Sequence, residues 1–116
     1  MLPALNGAFG FRLRSNTGIV PVMTVEVIDN PDRGRFEARV DGELAGFTEY
    51  EKRESFTVMP HTEVDDAFRG QGVAGTLVRA ALDEYRASGQ KVKPLCPYVR
   101  DWIGRHPEYD DVVYQA

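Results

Sequence analysis

Cysteine is nearly absent from this chain of 116 residues, which contains Cys96 alone. One cysteine cannot form a disulfide within the chain, and it cannot build a cysteine-based zinc site by itself. This usage suits a reducing compartment, so we expect a cytoplasmic protein without a metal ion. We also expect no membrane partner, because no apolar run approaches the ~18 residues of a membrane span. The N-terminal residues lack the basic start and apolar core of a secretion signal.

Basic residues are too few for a general nucleic-acid binder. Lys and Arg number 14 against 18 Asp and Glu, which gives a formal net charge of -4. A nucleic-acid-binding domain usually carries a basic face instead, so we expect no nucleic-acid partner. The acidic balance is typical of a well-solvated surface, and it is compatible with a cationic or amine-bearing substrate.

The length and the local patterns predict one domain after an extension. Residues 1–22 are rich in Gly, Pro, Ser and Asn and show no clear period, so they are predicted to form a flexible N-terminal extension. Residues 23–116 are predicted to form a compact domain, because regular patterns begin at Met23.

Strand patterns occupy the first half of this domain. Four antiparallel strands are predicted, the first from Met23 and the others over residues 35–40, 44–50 and 56–64, with turns at residues 29–34, 41–43 and 51–55. Pro60 indicates an edge, a bulge or a point where the last of these strands splays from its neighbour.

A helix, a short strand and a second helix are predicted to follow. The first helix has an apolar face formed by Val73, Leu77, Ala81 and Tyr85. Gly89 is a plausible C-cap for it, residues 91–95 suit a fifth strand, and Pro97 suits the first position of the second helix. The predicted fold class is α/β in the α+β sense, with a mixed sheet of four antiparallel N-terminal strands and then helix, strand and helix.

Two glycines stand at the start of the first predicted helix, where glycine lowers helix stability. A first helical turn has unpaired N–H groups and a partial positive charge, which together favour an anion. Gly70 and Gly72 remove side chains that would keep a phosphate away, and Arg69 can add a charge-assisted hydrogen bond. The pattern lacks the Lys-Ser/Thr ending of a Walker loop, and antiparallel strands do not suit a dinucleotide-binding βαβ unit. On spacing alone, a glycine-rich turn that binds nothing stays an alternative.

A family resemblance supports the anion site. The stretch Arg-Gly-Gln-Gly-Val-Ala at residues 69–74 resembles the Arg/Gln-x-x-Gly-x-Gly/Ala motif of the GNAT acetyltransferases. The stretches HTEVDDAFRGQGVAGTLV and CPYVRDWIGRHPEY are similar to the compact single-domain members of that family, so the resemblance covers residues 23–113. It implies a GNAT-like fold, acetyl-coenzyme A as co-substrate, and acetyl transfer to an amine.

The resemblance also implies where the coenzyme lies. In GNAT proteins the fourth and fifth strands part, the pantetheine arm lies between them, and the loop after the fourth strand holds the pyrophosphate. The coenzyme-binding residues implied in this chain are Thr62, Val64, Arg69, Gly70, Gln71, Gly72, Val73, Ala74 and Gly75. Thr76 either reaches a phosphate through its hydroxyl or is simply a helix residue.

Four side chains are candidates for the chemistry, which requires a deprotonated amine and a protonated leaving thiolate. Cys96 precedes a helix, where a thiol can become nucleophilic. It would either accept the acetyl group, line the tunnel that holds the coenzyme, or be a small buried residue. Most GNAT enzymes transfer directly to the amine. His61, or Glu63 if it is buried, would be the general base; the alternative for both is an exposed strand surface. Tyr98 would protonate the thiolate, as a Tyr does in many GNAT enzymes, or be a half-buried aromatic residue.

The chain departs from the family on the acceptor side. Typical GNAT domains insert helices between the first and second strands, and those helices form a floor under the acceptor; here only the turn at residues 29–34 occupies that place. Two hypotheses result. The first is an acetyl-coenzyme A-dependent N-acetyltransferase acting on a primary amine, such as a protein Lys. The alternative is a non-catalytic coenzyme A or acyl-coenzyme A binding module with a partner surface. The acceptor is unidentified, and we expect a monomer or weak dimer.

Overall fold

A computed structural model describes residues 9–13 and 23–115 of the chain. Its strands are β1 Phe9–Leu13, β2 Met23–Asn30, β3 Arg35–Val40, β4 Glu43–Glu49, β5 Glu51–Lys52, β6 Thr57–Met59, β7 Thr62–Val64 and β8 Val92–Pro94. Its α-helices are α1 Val73–Ser88 and α2 Pro97–Gly104, and short 3-10 helices cover Asp66–Phe68 and Pro107–Val112. No helix among the described residues is both long and apolar enough to cross a membrane.

The described strands form two sheets. The larger sheet has the order β1-β2-β3-β4-β7 with antiparallel neighbours throughout. The smaller has the order β5-β6-β8, in which β6 and β8 are parallel. Antiparallel strands followed by α1, β8 and α2 confirm the predicted mixed α/β class. Seven described strands rather than the predicted four precede α1, and β5 lies within the predicted turn at residues 51–55.

Strand β1 lies within residues 1–22, where the sequence predicts an extension without regular structure. Its five residues pair with β2 in antiparallel register, from Phe9 opposite Val27 to Leu13 opposite Met23. The alternation of Phe9, Phe11 and Leu13 with other residues is a period-2 signal, and the surrounding glycine-rich composition obscures it. The other residues before Met23 lie outside the described ranges, so a domain boundary at residue 23 stays a prediction.

The fourth predicted strand, residues 56–64, is two strands in different sheets. Strand β6 ends at Met59 and pairs with β8, whereas β7 begins at Thr62 and pairs with β4. Pro60, which has no N–H to donate to a ladder, lies at the division. The splay is therefore the correct one of the three alternatives for Pro60. Thr57 and Val58 on β6 are both buried, so both faces of this central strand of the smaller sheet are covered.

The hydrophobic core lies between the larger sheet and α1. The sheet contributes Val25, Val27, Phe36 and Ala38, and the helix contributes Val73, Leu77, Val78, Ala81, Leu82 and Tyr85. Helix α1 therefore packs with the apolar face that its 3.6-residue period predicts. The helix ends at Gly89, which adopts the left-handed conformation. The N–H of Gly89 donates to the carbonyls of Tyr85 and Arg86, so the predicted C-cap is confirmed. Pro97 is likewise confirmed at the start of α2.

The opposite face of the larger sheet carries both polar and apolar side chains and is called the open face below. Glu37, Phe47 and Glu63 lie in one cross-strand row on it. The carboxylate of Glu37 accepts bonds from Arg35 Nε at 2.9 Å and Asn30 Nδ2 at 3.1 Å. Burial acts to raise the pKa of Glu37, but these hydrogen bonds and the arginine charges prevail and hold it below its ordinary value.

Candidate active site

Strand β7 lies at an edge of the larger sheet as described, with β4 as its neighbour. The carbonyl of His61 accepts a backbone hydrogen bond from β4, and the N–H of Asp65 donates a backbone hydrogen bond to β4. Both bonds are 2.8 Å long. Because successive residues of an antiparallel strand alternate in the side to which their backbone groups point, the N–H and C=O groups of Thr62 and Val64 face away from β4. These are the backbone groups that the resemblance assigns to pantetheine.

A gap separates β7 from β8. The N–H groups of Leu95 and Cys96 both donate to the carbonyl of Met59, at 3.1 and 2.9 Å. Beyond Met59 the chain turns at Pro60, and β7 pairs with β4 rather than with β8. The two strands therefore part after Met59, and the free edge of β7 borders the gap.

Helix α1 begins without a capping side chain beside this gap. Its N-cap residue, Gly72, has a φ of 79°, and Gly70 has a φ of 76°, in a region that other residues rarely adopt. The first intrahelical bond joins the N–H of Thr76 to the carbonyl of Gly72 at 3.1 Å, so the four N–H groups before it lack an intrahelical acceptor. The hydroxyl of Thr76 donates to the same carbonyl at 2.9 Å, as a helix residue often does.

A cavity of about 310 Å³ opens at the start of α1 and is called the helix-side cavity below. It is lined by Val64, Phe68, Arg69, Gly70, Gly72, Val73, Ala74, Gly75 and Tyr98. All the coenzyme-binding residues implied by the sequence are therefore together here except Thr62 and Gln71. The side chain of Gln71 instead donates to the carbonyl of Ala67 at 3.4 Å. Phe68 is a wall residue that the sequence analysis missed.

Arg69 is the charged side chain on the wall of this cavity. Its Nε lies 2.6 Å from Asp66 Oδ1, and the two side chains are 73% and 85% exposed. An ion pair so exposed contributes little to stability, so the guanidinium can turn toward an anion at small cost. The predicted charge-assisted contact is thus sterically open to Arg69.

Tyr98 also lines the helix-side cavity. Its hydroxyl lies 3.8 Å from the point that a Cβ on Gly75 would occupy, which places it beside the first turn of α1. Burial raises the pKa of Tyr98 above its ordinary value, against an opposing effect of Arg105. A phenol with a raised pKa keeps its proton at neutral pH, as a proton donor requires.

Cys96 is buried at the N-cap position of α2. Its thiol donates to Thr62 Oγ1 at 3.7 Å, and that oxygen lies 2.8 Å from Oγ1 of the fully buried Thr48. The thiol does not line the helix-side cavity. Its surroundings are those of a small buried residue in the wall of the gap, with a neutral hydroxyl as its partner.

His61 and Glu63 lie on the open face, away from Tyr98. His61 Nε2 is 3.3 Å from Glu63 Oε2, and their side chains are 51% and 62% exposed. The burial that the general-base hypothesis requires of Glu63 is therefore not present. The structure does not bring the four candidate catalytic residues together on one side, because strand β7 separates these two from Cys96 and Tyr98.

A second cavity, of about 360 Å³, lies on the open face and is called the open-face cavity below. It is lined by Leu44, Ala45, Gly46, Phe47, Glu63, Val64, Asp65, Asp66 and Arg69. The sequence analysis missed it, because its walls come from two separate segments and no local motif marks either. It shares Val64 and Arg69 with the helix-side cavity, so the two cavities meet at the end of β7.

The parted strands and the glycine-lined helix start are the features that the resemblance to GNAT acetyltransferases implies. A family model described as GCN5-related N-acetyl-transferase matches residues 35–112. The chain therefore belongs to the GCN5-related N-acetyltransferase family, and the resemblance read from residues 69–74 is confirmed. By class the chain is an acetyltransferase, and proteins of this family generally use acetyl-coenzyme A.

Named relatives support the same family. Protein NATD1 of Xenopus tropicalis is 30% identical over 90 residues, which cover 75% of this chain and 82% of that protein. Protein NATD1 of Gallus gallus is 39% identical over 49 residues, which cover 42% of this chain and 44% of the relative. The latter match thus spans less than half of each protein.

A solved structure supports the fold. The crystal structure of a ribosomal-protein-alanine N-acetyltransferase from Brucella melitensis biovar Abortus 2308 superimposes with a TM-score of 0.51 at 24% identity. The match covers 73% of this chain and 64% of that chain. At this sequence identity, the structural similarity shows only that the two folds are alike.

Proposed function

We propose that the chain is an acetyl-coenzyme A-dependent N-acetyltransferase that moves an acetyl group to a primary amine, such as the side chain of a protein Lys. The observation that carries this proposal is the uncapped, glycine-lined start of α1, which opens on the helix-side cavity beside the free edge of β7. Acetyl-coenzyme A supplies a thioester, which is both the acetyl donor and the source of the leaving thiolate.

The residues present fit this coenzyme. The free N–H groups of Val73, Ala74 and Gly75 suit a pyrophosphate, and the helix dipole adds partial positive charge. A Cβ built on Gly70 would meet nothing within 4 Å, so the space beside the loop is open to a ligand. Along the free edge of β7, the backbone groups of Thr62 suit the amides of an extended pantetheine arm.

Proton transfer is assigned to residues on both sides of β7. Tyr98 holds a proton at its hydroxyl on the wall of the helix-side cavity, so we assign it the role of general acid. An amine on the open face would give up its proton to His61, whose side chain is accessible and lies 3.3 Å from Glu63. Cys96 is assigned to the wall of the gap, and transfer is direct, because its thiol is buried outside the helix-side cavity.

A non-catalytic coenzyme A-binding module is the second candidate function. Strand β7 separates the His61–Glu63 pair from Tyr98, and Glu63 is 62% exposed. Both observations favour the binding module. A binding module needs the helix-side cavity but needs no general base.

Calorimetry followed by a thiol-release assay tests both candidates. Acetyl-coenzyme A titrated into the full chain is expected to bind at one site, and a panel of primary amines is expected to release free coenzyme A. Absence of binding at millimolar ligand would contradict the coenzyme site itself. Binding without release on any amine, above the background without amine, would select the non-catalytic module.

A further inference from the structure

The indole of Trp102 lies beside the first turn of α1. Trp102 is a residue of α2, and only 5% of its surface is exposed. Its Nε1 is 3.5 Å from the point that a Cβ on Gly75 would occupy, and Gly75 lines the helix-side cavity. The indole N–H is therefore a side-chain donor at the same turn whose backbone N–H groups are proposed to hold the coenzyme.

This N–H has no acceptor in the part of the chain that the structure describes. The backbone carbonyl of Trp102 accepts a hydrogen bond from His106 Nδ1 at 2.7 Å, but no described residue accepts from the indole. Among those residues, the one fully enclosed side-chain N or O atom without a partner is the hydroxyl of Tyr85, so the indole nitrogen is not enclosed. A donor on a buried side chain normally has a partner, and here a ligand can supply it.

Gly75 keeps the indole N–H uncovered. It lies inside α1 without a positive φ, so its backbone does not require a glycine. A Cβ would lie 3.5 Å from the indole nitrogen and 3.8 Å from the Tyr98 hydroxyl, which are ordinary contact distances. Packing therefore does not require a glycine either, and glycine is less stable than alanine inside a helix. The missing side chain leaves both donors open to a ligand.

The indole ring is held in place by its other neighbours. It stacks on His106, with ring centroids 3.8 Å apart and planes at 12°, and it packs against Tyr109 at 5.2 Å. The guanidinium of Arg79 lies 5.2 Å from the centre of the same ring. A donor held in one orientation before binding loses little entropy when a ligand arrives.

The acceptor that suits this N–H is a phosphate oxygen. The described walls of the helix-side cavity carry the guanidinium of Arg69 and the first turn of α1, and no carboxylate, so they favour an anion. A phosphate presents several acceptor oxygens. One oxygen can bond the helix start while another reaches the indole.

We propose that Trp102 is a further coenzyme-binding residue, whose indole N–H donates to a phosphate oxygen of coenzyme A lying against Gly75. This inference rests on the proposed function. It adds a side chain of α2 to a phosphate site otherwise made by the backbone of α1 and by Arg69. The pyrophosphate and the 3′-phosphate of coenzyme A share this chemistry, and the ligands used below distinguish them.

Nuclear magnetic resonance of the full chain tests the hydrogen bond directly. Because the chain contains one tryptophan, its spectrum has one indole N–H signal. Coenzyme A is expected to move this signal downfield, as a new charge-assisted hydrogen bond forms. Dephospho-coenzyme A should also move it if the oxygen belongs to the pyrophosphate, and should leave it in place if the oxygen belongs to the 3′-phosphate. A downfield shift with pantetheine, which has no phosphate, or no shift with coenzyme A would overturn the inference.

Gly75→Ala covers the indole N–H with a methyl group and separates binding from folding. Because alanine suits a helix better than glycine, the variant should resist urea at least as well as the unaltered chain. Its affinity for coenzyme A should nevertheless fall about tenfold. Gly104→Ala is the matched control in α2, where a Cβ meets nothing within 4 Å, and it should keep the affinity. Equal affinities of the two variants would overturn the inference.

Trp102→Phe removes the N–H and keeps an aromatic ring. Calorimetry should show an affinity for coenzyme A about tenfold lower, and the KM for acetyl-coenzyme A should rise while kcat stays unchanged. Adding Gly75→Ala to this variant should cost little more, because both changes remove the same contact. Fully additive losses, or unaltered affinity of Trp102→Phe, would contradict the proposal. If Trp102→Phe does not fold, the indole signal and Gly75→Ala decide.

The two proposals fail in different ways. If the coenzyme site itself is wrong, coenzyme A moves neither the indole signal nor the amide signals of Ala74 and Gly75, and both proposals are overturned. If only the role of Trp102 is wrong, those amide signals move, the indole signal stays in place, and amine-dependent release of coenzyme A continues.

Discussion

The two sides of strand β7 are built from different chemistry. On the side of α1, the walls are backbone N–H groups, glycines and buried side chains such as Val73. On the open face, exposed ionisable side chains such as the His61–Glu63 pair and Asp65 lie beside the apolar Leu44 and Phe47. A site of oriented backbone dipoles is fixed once the helix forms, whereas a site of exposed charges depends on side-chain position and is screened by salt. Substitutions should therefore have large steric effects on the first side and graded electrostatic effects on the second.

The largest effect is expected from Gly72→Glu, which places a bulky carboxylate at the start of α1. The affinity for acetyl-coenzyme A should fall at least about 100-fold, ~2.7 kcal/mol, because the carboxylate meets the pyrophosphate. Calorimetry measures this loss. The left-handed conformation should lower the free energy of unfolding by ~1–2 kcal/mol.

Gly89→Glu is the matched control for that strain. Gly89 has a φ of 77°, against 79° for Gly72, and lies at the other end of α1. It should lose stability but keep coenzyme affinity. If Gly72→Glu binds the coenzyme as the unaltered chain does, the loop at the start of α1 is not the anion site.

Tyr98→Phe should produce the next largest effect, on kcat alone. Loss of a general acid lowers the rate about 100-fold, while calorimetric affinity for acetyl-coenzyme A stays unchanged. Because burial raises the pKa of Tyr98, its phenol stays protonated as pH rises, and the pH–rate profile should show no alkaline fall within the ordinary range of a tyrosine pKa. Tyr114→Phe removes a hydroxyl from a ring packed on Phe56 and should leave kcat unaltered. Matching rates for the two variants would refute the acid role.

Cys96→Ala should have a small effect on activity. The rate should stay within about threefold of the unaltered chain if transfer is direct, as proposed, and the free energy of unfolding should fall by ~1 kcal/mol for the lost buried atoms. Steady-state rates and urea unfolding measure the two quantities. A large loss of rate, together with an acetyl adduct on the unaltered chain by mass spectrometry, would favour the covalent route instead.

Glu37→Gln should leave coenzyme affinity unaffected and lower stability. The buried carboxylate loses its charged bonds to Arg35 and Arg39, which costs ~1–3 kcal/mol. Because folding lowers the pKa of Glu37, its contribution is complete above the ordinary carboxyl range and is lost as pH falls through the folded pKa. Urea unfolding at neutral and acid pH should therefore show a flatter acid decline in Glu37→Gln than in the exposed control Glu43→Gln. Parallel curves would contradict this role of Glu37.

Features with local causes were predictable from the sequence. Helix α1 follows from the apolar period between Val73 and Tyr85, and its end follows from Gly89. The glycine-lined start of α1 was predictable because Gly70 and Gly72 supply the positive φ that this turn requires. These signals depend on residues a few positions apart, so a single sequence contains them.

Features that depend on distant partners were not predictable in the same way. The alternation in residues 56–64 predicts one strand, but pairing with β4 and with β8 divides it at Pro60. The side of the sheet on which Glu63 lies depends on its register opposite Phe47. A register shift of one residue would place it on the other face, and no local pattern specifies that register.

The sequence by itself determined the class of fold, the glycine start of α1 and the family, because each follows from short-range conformational preference or from a contiguous motif. Only the tertiary structure decided that Tyr98 and the His61–Glu63 pair lie on opposite sides of β7, and that Leu44 and Asp65 share a cavity. The physical reason is that side-chain direction alternates along a strand while its partners are chosen by packing across the whole sheet.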